Sequence, residues 1–178
     1  MLKLLGFHII DTDKIAHTLL DQHASDIQNL FGSAFVHSGK VLRSELGKLV
    51  FSDKQELKKL EQFLHPLIYE KTLQEATKQD RFKKPYLIDI PLFFEKQNYD
   101  IARSIVVYTP KQIQLKRLIK RDGLDHDAAL KRIGLQMDIE KKKSLATYVI
   151  DNSKDINHLH RECEKLKREL LEDVCNKI

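Results

Sequence analysis

The feature that most constrains this chain is a set of four short apolar segments: Phe7-His8-Ile9-Ile10, Tyr86-Leu87-Ile88-Asp89-Ile90, Ser104-Ile105-Val106-Val107-Tyr108 and Tyr148-Val149-Ile150. Each is followed by a polar or proline-containing turn and then by a helical pattern. Repeated units of this kind predict an α/β fold in which buried, mostly parallel strands lie side by side. A length of 178 residues suits one compact domain with small appended subdomains and is too short for two full independent ones.

Between the first two segments lies a long helical stretch. Apolar residues recur at helical spacing in Ile15, Leu19 and Leu20, in Ile27, Leu30 and Phe31, in Leu46, Leu49 and Val50, and in Leu57, Leu60, Phe63 and Leu64. This predicts a helical subdomain inserted over about residues 14–80. After the third segment, Pro110 is suited to open a helix that Arg121-Asp122-Gly123 closes, and Asp125 to cap the next one. From Asp155 the tail carries Ile156, Leu159, Cys163, Leu166 and Leu170 alternately three and four apart. That pattern predicts an amphipathic helix packed on its own domain, a coiled-coil dimer being the alternative.

Charge narrows the function classes. A net charge of +5 and a pI near 9.1 suit a polyanionic substrate. Lys and Arg are interspersed with Asp and Glu, and no basic run is interleaved with aromatics, so nucleic acid is not the expected partner. No stretch approaches a membrane span, and Met1 to Gly6 do not resemble a signal peptide, so a soluble, cytoplasmic protein is expected. Cys163 and Cys175 show no zinc spacing and are expected to be reduced thiols. The oligomeric state is not fixed by the sequence.

Several motifs carry chemistry, each beside a plainer role. Asp11-Thr12-Asp13 follows the first strand, where a parallel sheet presents its loops to ligand. A carboxylate there takes a proton from a hydroxyl or helps hold magnesium; equally, one Asp simply caps the helix from Lys14. His65-Pro66-Leu67 reads as the junction where one helix closes and another opens, and the histidine as a surface or capping residue or a ligand. The segment from Asp89 through Pro91, Leu92, Phe93 and Phe94 to Glu95 puts a carboxylate and an apolar wall at the mouth of the sheet, half site and half core. Arg117, Arg121, Lys131, Arg132 and Lys141 to Lys143 form either a solvated charged face or a lid bringing basic groups over phosphates. Asn152 lies just beyond the last strand, to end it or to read a nucleobase edge.

In their order and spacing these pieces resemble the dephospho-CoA kinase family. The residues that carry the resemblance are Ile10-Asp11-Thr12-Asp13-Lys14-Ile15-Ala16, Arg43 through Val50-Phe51, His65-Pro66-Leu67, Ile90-Pro91-Leu92-Phe93-Phe94-Glu95, Leu115-Lys116-Arg117 to Arg121-Asp122, Arg132-Ile133 to Gln136, and Val149-Ile150-Asp151-Asn152. The resemblance implies a P-loop NTPase-like, mostly parallel sheet with a helical acceptor domain and a lid over about residues 117–143. It implies transfer of phosphate from ATP, with Mg2+, to the ribose 3′-hydroxyl of dephospho-CoA, the last step of CoA biosynthesis. Asp13 would be the general base or magnesium-linked carboxylate, and Arg132, helped by Arg117 and Arg121, would neutralise the transferring group. Asp11, Arg43, His65, Pro91, Leu92 and Glu95 would bind the acceptor, and Asn152 would lie near the adenine.

One departure stands out. The family pattern opens with a strand and a G-x-x-x-x-G-K-[ST] loop whose amides cradle phosphates, and Gly6, Gly32, Gly39, Gly47, Gly123 and Gly134 never approach that spacing. The first strand of the family pattern is therefore expected to be missing here, with roughly twenty residues of that pattern falling before Met1. The 178 residues alone are expected to be inactive and loosely folded. The alternatives are another nucleotide or nucleoside kinase, or a catalytically dead dephospho-CoA-binding module.

Overall fold

The computed structural model describes residues 1–96 and 98–175; the side chain of Cys175 lies outside what is described. In chain order the elements are β1 (His8–Asp11), α1 (Thr12–Gln22), α2 (Ala24–Phe31), a single 3-10 turn (Ser33–Phe35), β2 (Val36–His37), β3 (Lys40–Val41), α3 (Arg43–Ser52) and α4 (Lys54–Asp80). They continue with β4 (Tyr86–Asp89), α5 (Phe93–Lys96), β5 (Ile105–Tyr108), α6 (Lys111–Asp122), α7 (His126–Gly134), α8 (Ile139–Leu145), β6 (Tyr148–Asp151) and α9 (Ile156–Cys175). The strands pair as β1 with β4, β2 with β3, and β5 with β6. Two compact units result, Ile9–Pro91 and Met1–His8 with Leu92–Ile178.

In the unit 9–91, α1 to α4 close around Leu20, Ala24, Ile27, Val41, Leu46, Val50 and Leu64, with Leu57, Leu60, Phe63 and Ile68 packed against them. Asp53 opens α4 by accepting from the amides of Gln55 and Glu56, which occupies donors that a helix start leaves orphaned. The helix then runs unbroken through Pro66. His65-Pro66-Leu67 is thus not the junction of two helices. Proline removes an intrahelical hydrogen bond at a cost of about 3 kcal/mol, yet the apolar residues on both sides of it serve one core and hold the helix through. The short antiparallel ladder of β2 and β3, Val36 opposite Val41 and His37 opposite Lys40, is a feature the sequence reading lacks. Ser38 and Gly39 connect it with φ of 49° and 73°, the left-handed pair that a two-residue hairpin turn requires.

In the other unit, β5 and β6 run parallel, Ile105 opposite Tyr148 through Tyr108 opposite Asp151. Val106 and Ile150 are buried, and α9 packs behind β6 with Cys163, Leu166 and Leu170 buried. Burial pushes the Cys163 thiol up, so it stays protonated and behaves as a small apolar side chain. Arg103 pairs with Asp173 at 2.9 Å, and the Tyr148 hydroxyl also donates to Asp173, fixing the end of α9. Not all faces of the strands are buried as the apolar runs suggest: Val107 is 52% and Val149 37% exposed. In the register Val107 lies beside Ile150 and Val149 beside Val106, so each face of the pair carries one buried and one exposed side chain. Pro110 precedes α6, and Gly123, at φ 65°, ends it. Asp125 caps α7 through the amide of Ala128.

Candidate functional site

Within the unit 9–91, the ends of β1 and β4 form a carboxylate rim. Asp11 is the N-cap of α1: its Oδ1 accepts from the Lys14 amide at 3.0 Å and its carboxylate pairs with Lys14 Nζ at 3.2 Å. The backbone bond leads in holding its pKa below the ordinary aspartate range. The capping role therefore falls to Asp11, and the helix begins at Thr12. Asp13, in the first turn of α1, is exposed to solvent and favourably placed against the helix dipole. The third carboxylate is Asp89, the last residue of β4, which the sequence placed at the mouth of the sheet without giving it a role in the reaction. Although Asp89 is exposed as a residue, desolvation of its carboxyl, followed by the charges of Asp11 and Asp13, raises its pKa. The buried Thr12 hydroxyl donates to the Asp89 carbonyl at 2.8 Å, tying the end of β4 to the start of α1. A strand ending in Asp before Ile90-Pro91 was the signal available for Asp89.

The other residues of this unit that the resemblance implies for the acceptor lie apart from that rim in their bonding. Arg43 donates to the Asp21 carboxylate and, at 3.4 Å, to the His17 carbonyl, joining α3 to α1. His65 is half-buried inside α4, and Pro91 is exposed just past β4. Among the described residues no three His, Cys, Asp or Glu side chains are placed to hold a metal ion.

Within the other unit, Leu92 carries φ 57°, a left-handed conformation that costs a leucine about 1–2 kcal/mol. Its carbonyl accepts from the amides of Glu95 and Lys96, opening α5. Glu95 Oε1 takes an ion pair from Lys142 Nζ at 2.7 Å and a hydrogen bond from the Met137 amide at 2.8 Å; its Oε2 is buried with no hydrogen-bond partner among the described residues. Desolvation is the largest single influence on Glu95 and pushes upward, but the bonds from Lys142 and Met137 together hold the pKa below normal. Lys143 stacks over the Tyr108 ring at 4.2 Å while the Tyr108 hydroxyl donates to Glu140 at 2.6 Å, so α8 is clamped to the end of β5. Two of the three consecutive lysines thus have defined protein partners.

The arginines divide. Arg121 and Arg132 converge on Asp122, with contacts of 2.6 Å and 2.8 Å, and the Arg121 bonds lead in lowering the pKa of Asp122. In the sequence Asp122 is a helix end and closes the stretch from Leu115 that carries the resemblance, with no role of its own. Arg117 instead donates to the carbonyl of Asn152 at 2.9 Å and of Lys154 at 3.4 Å. It therefore braces the turn after β6. That turn is held further by the Asn152 amide donating to the Tyr108 carbonyl at 2.8 Å and by His158 Nε2 against Asp151 Oδ2 at 3.0 Å.

Comparison with known proteins places these residues in context. A family model described as dephospho-CoA kinase matches residues 1–158. A dephospho-CoA kinase from Sulfurimonas denitrificans is 52% identical over 176 residues, covering 97% of this chain and 88% of the relative. One from Helicobacter pylori strain J99 is 41% identical over 174 residues, covering 96% of this chain and 89% of the relative. The solved structure of dephospho-CoA kinase from Campylobacter jejuni superposes with a TM-score of 0.74 at 38% identity, covering 94% of this chain and 86% of that one.

Proposed function

We propose, from the premise that this chain belongs to the dephospho-CoA kinase family, that its residues serve transfer of the γ-phosphoryl group of ATP to the ribose 3′-hydroxyl of dephospho-CoA. The observation that most supports this is the carboxylate rim where β1 and β4 end, at the edge of a sheet where α/β enzymes bind their ligands. Asp13, exposed and outside the capping bonds of Asp11, takes the proton of the 3′-hydroxyl as its oxygen bonds to the γ-phosphorus and the β,γ-bridging bond breaks. The electron pair of that bond leaves on ADP.

Arg132 and Arg121, gathered by Asp122, supply positive charge to the transferring group, and Asn152 with Arg117 forms the adenine side. By the resemblance, Arg43, His65 and Pro91 in one unit and Leu92 and Glu95 in the other would bind the acceptor, Glu95 by fixing the backbone at Met137. Magnesium usually keeps several waters and takes only one or two protein carboxylates. Asp13 and Asp89 would supply those carboxylates, at a rim where desolvation and then the charges of Asp11 and Asp13 already disfavour the ionised form of Asp89. When bound, the ion would neutralise phosphate charge.

The 178 residues contain no G-x-x-x-x-G-K-[ST] stretch. We propose that by themselves they bind the acceptor without transferring phosphate. The test is a substrate panel on a form extended at the N-terminus with a glycine-rich lysine loop. ADP release with dephospho-CoA and none with nucleoside monophosphates is expected; the reverse preference would assign the chain to another nucleotide kinase activity.

A further inference from the structure

Among the described residues the buried polar ones, Thr12, Thr72 and Thr109, are all threonines. Thr72 bonds within its own helix, to the Ile68 carbonyl. The other two do something different. Thr12 directly follows β1, and its hydroxyl donates across 77 positions to the carbonyl of Asp89, which ends the paired strand β4. Thr109 directly follows β5, and its hydroxyl donates across 43 positions to the carbonyl of Asn152, one residue past the paired strand β6. The same device therefore occurs once in each unit, at the strand ends where the functional reading places its residues.

We propose that Thr12 and Thr109 are positioning residues: Thr12 sets the rim that carries Asp13 and Asp89, and Thr109 sets the turn that carries Asn152. The inference rests on the function proposed above. A buried hydroxyl that only filled space would leave its own polarity unsatisfied, whereas each of these is spent on a carbonyl of a neighbouring strand end. Thr12 shares the first turn of α1 with Asp13 and grips the backbone of Asp89, so one bond governs the spacing of both carboxylates. The Thr109 bond, at 3.3 Å, is the longer, and the same Asn152 carbonyl also receives Arg117. Its loss is accordingly the milder one.

The test reads geometry and turnover separately. In the 178-residue chain, the backbone carbonyl-carbon NMR signal of Asp89 should move in Thr12→Val, as loss of its hydrogen bond requires, and stay at the native position in Thr12→Ser. Thr12→Ala serves if the valine chain does not melt cooperatively. In the loop-extended form, Thr12→Val should lower kcat about tenfold or more with dephospho-CoA affinity within about threefold, and Thr12→Ser should restore it. Thr109→Val should raise the KM for ATP about two- to tenfold at nearly constant kcat. A valine variant that keeps the native Asp89 carbonyl signal and turns over normally, or a serine variant as impaired as valine, overturns the inference. Asp13→Asn is run beside them: if it turns over normally the functional reading fails, while the Asp89 carbonyl signal still decides the role of Thr12.

Discussion

Replacing Glu95 with glutamine keeps its volume and an oxygen for the Met137 amide but removes the charge that faces Lys142. The two side chains are only 19% and 15% exposed and meet at 2.7 Å, so the ammonium is left in a poorly solvated place with no counter-charge. Removing one partner of a fully buried pair costs about 3–5 kcal/mol; residual exposure brings the expected loss here to about 2–3 kcal/mol. At this chain length that corresponds to a fall of roughly 4–12 °C in Tm. The sign of the pH dependence follows from the depressed Glu95 pKa. Its contribution is complete above the ordinary glutamate pKa of about 4.3 and is lost as pH falls through the lower folded value. Urea melts at neutral and strongly acidic pH, with Lys142→Met and the double variant, supply the assay. The double variant should recover much of the loss, with a coupling of about 1–3 kcal/mol. A Glu95→Gln chain within about 0.5 kcal/mol of the native one at neutral pH, or a loss that persists unchanged in acid, would refute the reasoning.

Two further substitutions test the backbone. Pro66→Ala should raise stability by about 2 kcal/mol in a urea melt, since an interior helix proline costs about 3 kcal/mol and restricts the unfolded chain by somewhat under 1; an unchanged midpoint would show that the helix absorbs the lost bond freely. Ser38→Asn should add roughly 0.5 kcal/mol because asparagine tolerates the left-handed conformation better than serine, and a loss would mean that the hairpin turn is held by other contacts.

Elements whose signals are local were legible in the sequence. The four apolar segments fall within a residue or so of β1, β4, β5 and β6, and Pro110, Gly123 and Asp125 mark the helix limits as their backbone preferences require. The hairpin β2–β3 was not legible because two-residue strands carry no periodicity. Pro66 misled because its local preference opposes a helix that packing on both sides sustains. The residues by themselves left open which of Asp11 and Asp13 caps the helix, the resemblance put the base at Asp13, and the bond from the Lys14 amide makes Asp11 the cap. Thr12 acts through the Asp89 carbonyl and Asp122 gains Arg132, partners that only the fold supplies. Glu95 meets Met137 and Lys142 across more than forty positions, a distance no motif encodes.

The central claim is that Asp13 is the proton acceptor at the rim. Steady-state turnover and calorimetric binding of Asp13→Asn, in the loop-extended form, test it most directly. The account predicts that kcat falls roughly a hundredfold or more while ATP and dephospho-CoA remain bound with near-native affinity. A nearly normal kcat for Asp13→Asn, with the large loss appearing instead in Asp11→Asn or Asp89→Asn, would contradict it.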